Sequence, residues 1–182
     1  MSASLNHPPG ETWVELDLPA MDNTKTLQKN ILHYLATHNT LSLATQGSNA
    51  PQAAALFYVN SRFTLYFVSD PSSRHGNNLR TSPAVAATIN EDPDNWKEIK
   101  GLQIEGEATL VQGKLKEAGV LALYLKKFPF AARFLVAKTG LDSETARKVG
   151  NVCFYRIVPA RIWFIDNSQG FGHRELLILE PY

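Results

Sequence analysis

Three consecutive residues, Ser73, Arg74 and His75, carry the most suggestive chemistry in the chain. They lie in the stretch FTLYFVSDPSSRHGNNLRTSPAVAATIN, between a bulky strand-like run ending at Ser69 and a second run opening at Ala84. Asp70-Pro71 marks a turn. Ser72 is a natural N-cap, able to accept a bond from a free backbone N–H. A short helix is predicted to follow, running to about Arg80 and stopped by Pro83. Arginine and a protonated histidine in a first helical turn face the positive end of the dipole, which disfavours them by roughly a few tenths of a kcal/mol. A bound anion reverses that sign. Free N–H groups, a serine hydroxyl and an arginine fork together make a phosphate site. The alternative is a solvated loop whose arginine falls beside a cap, and spacing alone does not decide between them.

Other chemistries find less support. There is no Walker loop, no dinucleotide glycine fingerprint and no G-x-S-x-G nucleophile elbow. The five histidines are scattered, with no HxH or HExxH pairing. His33 and His38 are five apart and share no helical face, so they read as ordinary helix-surface or helix-end residues. Glu105 and Glu107 share one face of a strand-like run, a position that usually means solvation. Net charge is +1 and the basic residues form no stripe, which gives no electrostatic case for nucleic acid or a membrane surface. No apolar run reaches membrane-spanning length, and the first residues have neither the basic nor the apolar region of a signal peptide. Cys153 is the single cysteine, so an intramolecular disulfide and a thiolate metal cluster within one chain are excluded. It reads as a small buried hydrophobe in VCFYRIV, and a reducing cytoplasm fits best.

The elements that would position these residues can be read in order. With 182 residues, 44% hydrophobic and 19% charged, the chain can build one domain with a full core. Residues 1–22 read as an arm and residues 23–182 as the domain. TKTLQKNILHYLATH is a helix with Leu27, Ile31, Leu32 and Leu35 on one face. Residues 41–46 and 50–59 form a hairpin about Gly47-Ser48-Asn49. Ala53-Ala54-Ala55 is unusual in a strand; it either lets something flat approach or meets a helix closely. Strands follow at residues 63–69 and 84–90, then a polar loop over 91–96. Residues 102–110 alternate cleanly, with Gly106 marking a bulge or bend. Residues 114–127 are helical, 130–137 form a shorter apolar helix, and Asp142 or Ser143 caps a third piece. Residues 151–158 and 161–166 are the last strands, divided at Pro159. Six or so antiparallel strands with few helices argue a mainly β fold, a closed or nearly closed barrel.

The run FVSDPSSRHGNNLRTSPAVAATI resembles the phosphate-binding segment of the flavin mononucleotide (FMN)-binding split-barrel family, the pyridoxamine 5'-phosphate oxidase-like proteins. There an aromatic strand leads to a Ser-Arg-Lys step, a short helix and a strand of small and branched residues. Ser73, Arg74 and His75 fall on that step. The likeness covers roughly residues 24–166, and the ending IDNSQGFGHRELL resembles an uncharacterised bacterial branch of the family. What the resemblance implies is a six-stranded antiparallel split β-barrel with FMN at a homodimer interface. On it, Arg74 and a charged His75 of raised pKa grip the phosphate, with Ser69 beside them. The Ala53–Ala55 run passes the flavin ring, and Gln103 keeps the strand face of a flavin-contacting glutamine. Phe171 and His173 close the pocket or reach the neighbouring subunit. Departures accompany the likeness. Gln52 and Phe57 stand where the oxidases bring arginine and lysine, and Gly172-His173-Arg174 only loosely resembles their C-terminal substrate motif. The resemblance therefore implies an FMN-dependent oxidoreductase of unknown small-molecule substrate, not a vitamin B6 oxidase. The alternatives are a non-enzymatic flavin- or haem-binding or sensing protein, or a barrel without cofactor serving as an interaction module.

Overall fold

The computed structural model describes residues 21–48, 50–137 and 142–179. The arm expected over residues 1–22 lies outside these apart from its last two residues, which open the first helix. That helix, α1 (Met21–Thr37), buries Leu27, Ile31, Tyr34 and Leu35. Tyr34, not Leu32, completes the buried stripe, because its ring lies in the core while its hydroxyl reaches out to the carbonyl of Lys100 (3.2 Å).

The strands are β1 (Thr40–Gln46), β2 (Pro51–Ser61), β3 (Thr64–Ser69), β4 (Ala84–Asn90), β5 (Lys100–Leu110), β6 (Cys153–Asp166) and β7 (Arg174–Ile178). All pairings are antiparallel, in the order β3-β2-β1-β4-β5-β6-β7. β3 also pairs with β6, from Leu65↔Ile157 to Ser69↔Cys153. That pairing closes six strands into a barrel and leaves β7 as an added strand on the far half of β6. Closure covers the free edge that β3 would expose in an open arrangement.

The interior is filled by alternate residues of each strand, among them Leu43, Leu65, Phe67, Ile104 and Ile157, all essentially inaccessible. Burying a side chain of this size contributes roughly 1.5–3 kcal/mol. β6 changes phase midway. Tyr155, Ile157 and Pro159 face inward before Ala160, and Ile162, Phe164 and Asp166 after it. The cause is a bulge: Glu105 pairs with Arg161 and Gly106 with Pro159, so Ala160 has no partner on β5. A Cβ on Gly106 would lie 2.3 Å from the carbonyl oxygen of Val158, so glycine is required by close approach. The division expected at Pro159 is thus a bulge within one strand, and β7 is a strand the sequence reading did not foresee.

Among the described residues, four α-helices pack against the strands. α2 (Arg74–Thr81) links β3 to β4; α3 (Lys114–Lys127) and α4 (Ser143–Gly150) lie between β5 and β6. Asp142 caps α4, its carboxylate accepting from the backbone and hydroxyl of Thr145. α3 builds a second apolar cluster on the outside of β2 and β3, centred on Val59, Val120, Tyr124 and Phe128. Lys127 ties the end of α3 to the end of α1. Its Nζ donates to the carbonyls of Leu35 (3.5 Å) and His38 (2.5 Å) and lies 4.3 Å from the Tyr58 ring centre. Burial pushes its pKa down to about 8.

Candidate functional site

The expected phosphate segment starts where β3 ends. Ser69 is the last residue of β3 and is buried. The chain then turns through Asp70 and Pro71, with the N–H of Ser72 donating to Asp70 Oδ1 (2.7 Å) and that of Ser73 to the Asp70 carbonyl (3.0 Å). The Ser72 hydrogen bond holds the Asp70 carboxyl below its usual range. This turn settles which serine caps the helix. Ser73, not Ser72, is the N-cap, its Oγ accepting from the N–H of Gly76 (3.1 Å). A Cβ on Gly76 would stand 2.6 Å from the Pro71 carbonyl oxygen, so the turn folds back tightly against the helix start.

The cap leaves two donors over. Among the described residues, the backbone N–H groups of Arg74 and His75 find no acceptor, as expected for a first helical turn. Arg74 is exposed and makes no ion pair among the described residues.

His75 stands behind the helix start. It is only 8% exposed and turned inward, its Nε2 2.6 Å from Ser69 Oγ and its ring edge-on to Phe67. Burial lowers its pKa below the ordinary value rather than raising it. Ser69 Oγ lies in turn 3.3 Å from Ser73 Oγ. If neutral His75 donates to Ser69 and Ser69 to Ser73, the Ser73 proton is left to donate outward. On that assignment of the protons, His75 orients the cap through Ser69. The other polar contact beneath α2 was missed by sequence reading. Asn78 is buried and donates to Thr45 Oγ1 of β1 (3.0 Å). The signal was its spacing of three from His75 on one helical face. Gln52 of β2 pairs with Thr45 in register, and its Oε1 is buried with no hydrogen-bond partner among the described residues.

Gln103, Phe171 and His173 lie elsewhere. Gln103 is exposed on β5, in a register row running Ala55, Ser42, Thr88, Gln103, Trp163, Leu176 across six strands. The neighbouring row carries Ala53, Ala44 and Ala86, so the outward face of β2, β1 and β4 is floored by small side chains. Phe171 and His173 belong to the turn after β6. There Asp166 accepts from the backbone and hydroxyl of Ser168, while Asn167 donates from its amide to the Trp96 carbonyl and accepts from the N–H of Gly172. The Asp-Asn-x-x-Gly-Phe-Gly ending is therefore a locked turn. It displays Phe171, 85% exposed, edge-on to Trp96 at 5.5 Å. His173 Nε2 is buried without a hydrogen bond, 3.6 Å from Glu175 Oε1.

These two groups stand at opposite ends of β6. Ser69 pairs with Cys153, its first residue, and the turn follows Asp166, its last. At about 3.3 Å per residue, roughly 40 Å of strand lies between them. One chain does not bring the predicted site residues together.

A family model described as pyridoxamine 5'-phosphate oxidase matches residues 27–166. The chain belongs to that family. Its relatives include a UPF0306 protein of Photorhabdus laumondii, 28% identical over 157 residues that span 85% of this chain and 96% of that one. A UPF0306 protein of Klebsiella pneumoniae is 33% identical over 66% of this chain and 72% of that protein. Solved structures with the same fold include HutZ, the haem storage protein of Vibrio cholerae, with a TM-score of 0.58 and 18% identity over 84% of this chain and 94% of that one. An FAD-binding protein of Mesorhizobium loti gives 0.53 and 18% over 75% and 89%. The family's split barrel is thus the fold found here. Among the described residues no helix is long and apolar enough to cross a membrane, and no three His, Cys, Asp or Glu side chains converge as a metal-binding group.

Proposed function

We propose that the protein binds FMN and acts as an oxidoreductase of the pyridoxamine 5'-phosphate oxidase family, on a substrate other than a B6 vitamer. The observation that carries this reading is the start of α2: two free N–H groups, the cap hydroxyl of Ser73, and an exposed arginine without a carboxylate partner among the described residues. These groups fit a phosphomonoester, for the N–H dipoles and the guanidinium both favour a dianion there. FMN, when bound, supplies the electron transfer; the chain supplies binding, orientation and polar contacts to the ring. On this reading Arg74 and the α2 N–H groups hold the phosphate, His75 and Ser69 orient Ser73, and Ala53–Ala55 leave room for the flat ring. Gln52 offers an unsatisfied amide oxygen near the helix. The B6 reaction is set aside because Gln52 and Phe57 replace the oxidases' cations. Phe171 and His173 stand too far along β6 to join the same chain's α2. We therefore infer a homodimer in which a second copy brings its turn to that helix.

The test is FMN affinity. A charge-assisted hydrogen bond is worth about 1.5–3 kcal/mol, so Arg74→Ala should weaken FMN by about tenfold to over a hundredfold. Arg74→Lys should recover part of this, keeping charge but not the bidentate fork. Riboflavin, lacking the phosphate, should respond to neither. Arg80, exposed near the helix C-terminus and bonded to Asn77 Oδ1, is the control. Equal losses from Arg74→Ala and Arg80→Ala would overturn the placement. A second reading, haem in place of flavin in a storage or sensing role, is favoured by His173 alone, whose buried Nε2 lacks a hydrogen bond. Imidazole is a common axial ligand of haem iron. The absorbance of purified protein after addition of each cofactor separates the two readings.

A further inference from the structure

Glycine suits the middle of a helix poorly, because it is costlier to order than alanine. α3 nevertheless carries Gly119 as its sixth residue. No close contact requires it there: a Cβ at Gly119 would meet nothing within 4 Å, and its φ lies outside the left-handed region. The space it leaves belongs to a cavity of about 470 Å³ between α3 and the outward face of β3 and β6. Val111, Val120 and Leu123 give this cavity an apolar wall, with the Tyr66 ring packed beside them.

The rest of the wall is cationic. Arg156 shares a register row with Tyr66 of β3 and Thr109 of β5. Its Nε donates to Thr109 Oγ1 (3.1 Å), which fixes the guanidinium and leaves both Nη groups without an acceptor among the described residues. Lys116, one turn before Gly119 on α3, lines the same space, and no carboxylate does. Glu117 follows Lys116 and Glu107 lies two residues from Thr109, yet neither cation forms an ion pair among the described residues. An arginine fork matches a carboxylate in bidentate geometry. Two cations facing aliphatic side chains therefore suit a molecule with an anionic head and an apolar body. The volume is within the range of small-molecule pockets.

We propose that this cavity binds an amphipathic monocarboxylate, its head on Arg156 and Lys116 and its chain in the space beside Gly119. None of the lining residues is among those assigned above to the phosphate or the ring, and the proposal does not rest on the flavin reading. The test is calorimetric titration of the full chain with octanoate at low ionic strength, where attraction between exposed charges is least screened. One octanoate per chain should bind saturably. Octanamide, the same chain without the charge, should bind about tenfold more weakly or worse. Arg156→Gln should raise the Kd for octanoate by a similar factor, and Arg156→Lys should recover part of it. Gly119→Leu should fill the cavity and abolish saturable binding while the melting temperature holds or rises, because leucine is the better helix former. Arg161→Gln, further along β6 and paired with Glu105, should change nothing. Absence of saturable binding, equal affinity for octanamide, or unchanged affinity in a folded Gly119→Leu variant overturns the proposal. Stoichiometric displacement of octanoate by FMN overturns its separateness from the cofactor site.

Discussion

His75 shows how a single side chain can reverse an electrostatic expectation. Beside a phosphate it would gain a proton; packed against Phe67 and bonded to Ser69 it is held neutral. The linkage then has a definite sign. Its folded pKa lies below the unfolded value of about 6.5, so on acidification the unfolded chain binds the proton first. Stability supplied by neutral His75 is complete above that range and is lost as pH falls through it. Urea midpoints at pH 7.5 and 5.5 should therefore decline more in the wild type than in His75→Gln, and parallel declines would show that His75 is not the group responsible. Sequence could not have given this sign. Ser69, Ser73 and His75 were legible as neighbours in the chain, but which way the imidazole points depends on the barrel wall beneath it.

At the level of elements, the bulge between β5 and β6 makes the sharpest demand on sequence. Gly106→Val would drive a side chain into the Val158 carbonyl. The β5–β6 pairing must shift, at an expected loss of about 1–3 kcal/mol in denaturant unfolding. A stability unchanged within about 0.5 kcal/mol would show that the strands part there without cost. The alternation of β5 was readable because its two faces meet different surroundings, and Gly106 stood out within it. The single strand β6 was read as two because proline normally ends a ladder; here Pro159 sits at the bulge, where no hydrogen bond is asked of it. β7 was missed for another reason. Five residues beginning Arg174-Glu175 become a strand only by pairing with Arg161–Ile165, a non-local fact. The helix cap was misplaced by one residue because Ser72 and Ser73 are equally suited by composition, and the Asp70 turn chooses between them.

For the whole molecule, the separation of Arg74 from Phe171 and His173 makes the proposed dimer testable beyond its mass. Light scattering at low micromolar concentration should give twice the chain mass, and a monomer with native circular dichroism would refute the assembly. A mixing experiment goes further. If each FMN site takes α2 from one copy and the turn from the other, Arg74→Ala and a Phe171→Ala/His173→Ala variant should each bind poorly. Mixed under exchange they should regain about a quarter of the sites, since half the dimers are mixed and each of those has one intact site. No recovery would place the site within one chain. The closing pair of the barrel, β3 with β6, also has a consequence for how the protein is made. β3 is complete at Ser69, yet its partner strand is not finished until Asp166. A chain emerging from the ribosome must hold the outer edge of β3 unpaired from Ser69 until residues 153–157 are made, and that of β5 from Leu110 until the rest of β6 follows. Long-range strand pairing of this kind is slow and leaves sticky edges open. For this barrel, the hazard of misassembly is concentrated in the interval before its sixth strand arrives.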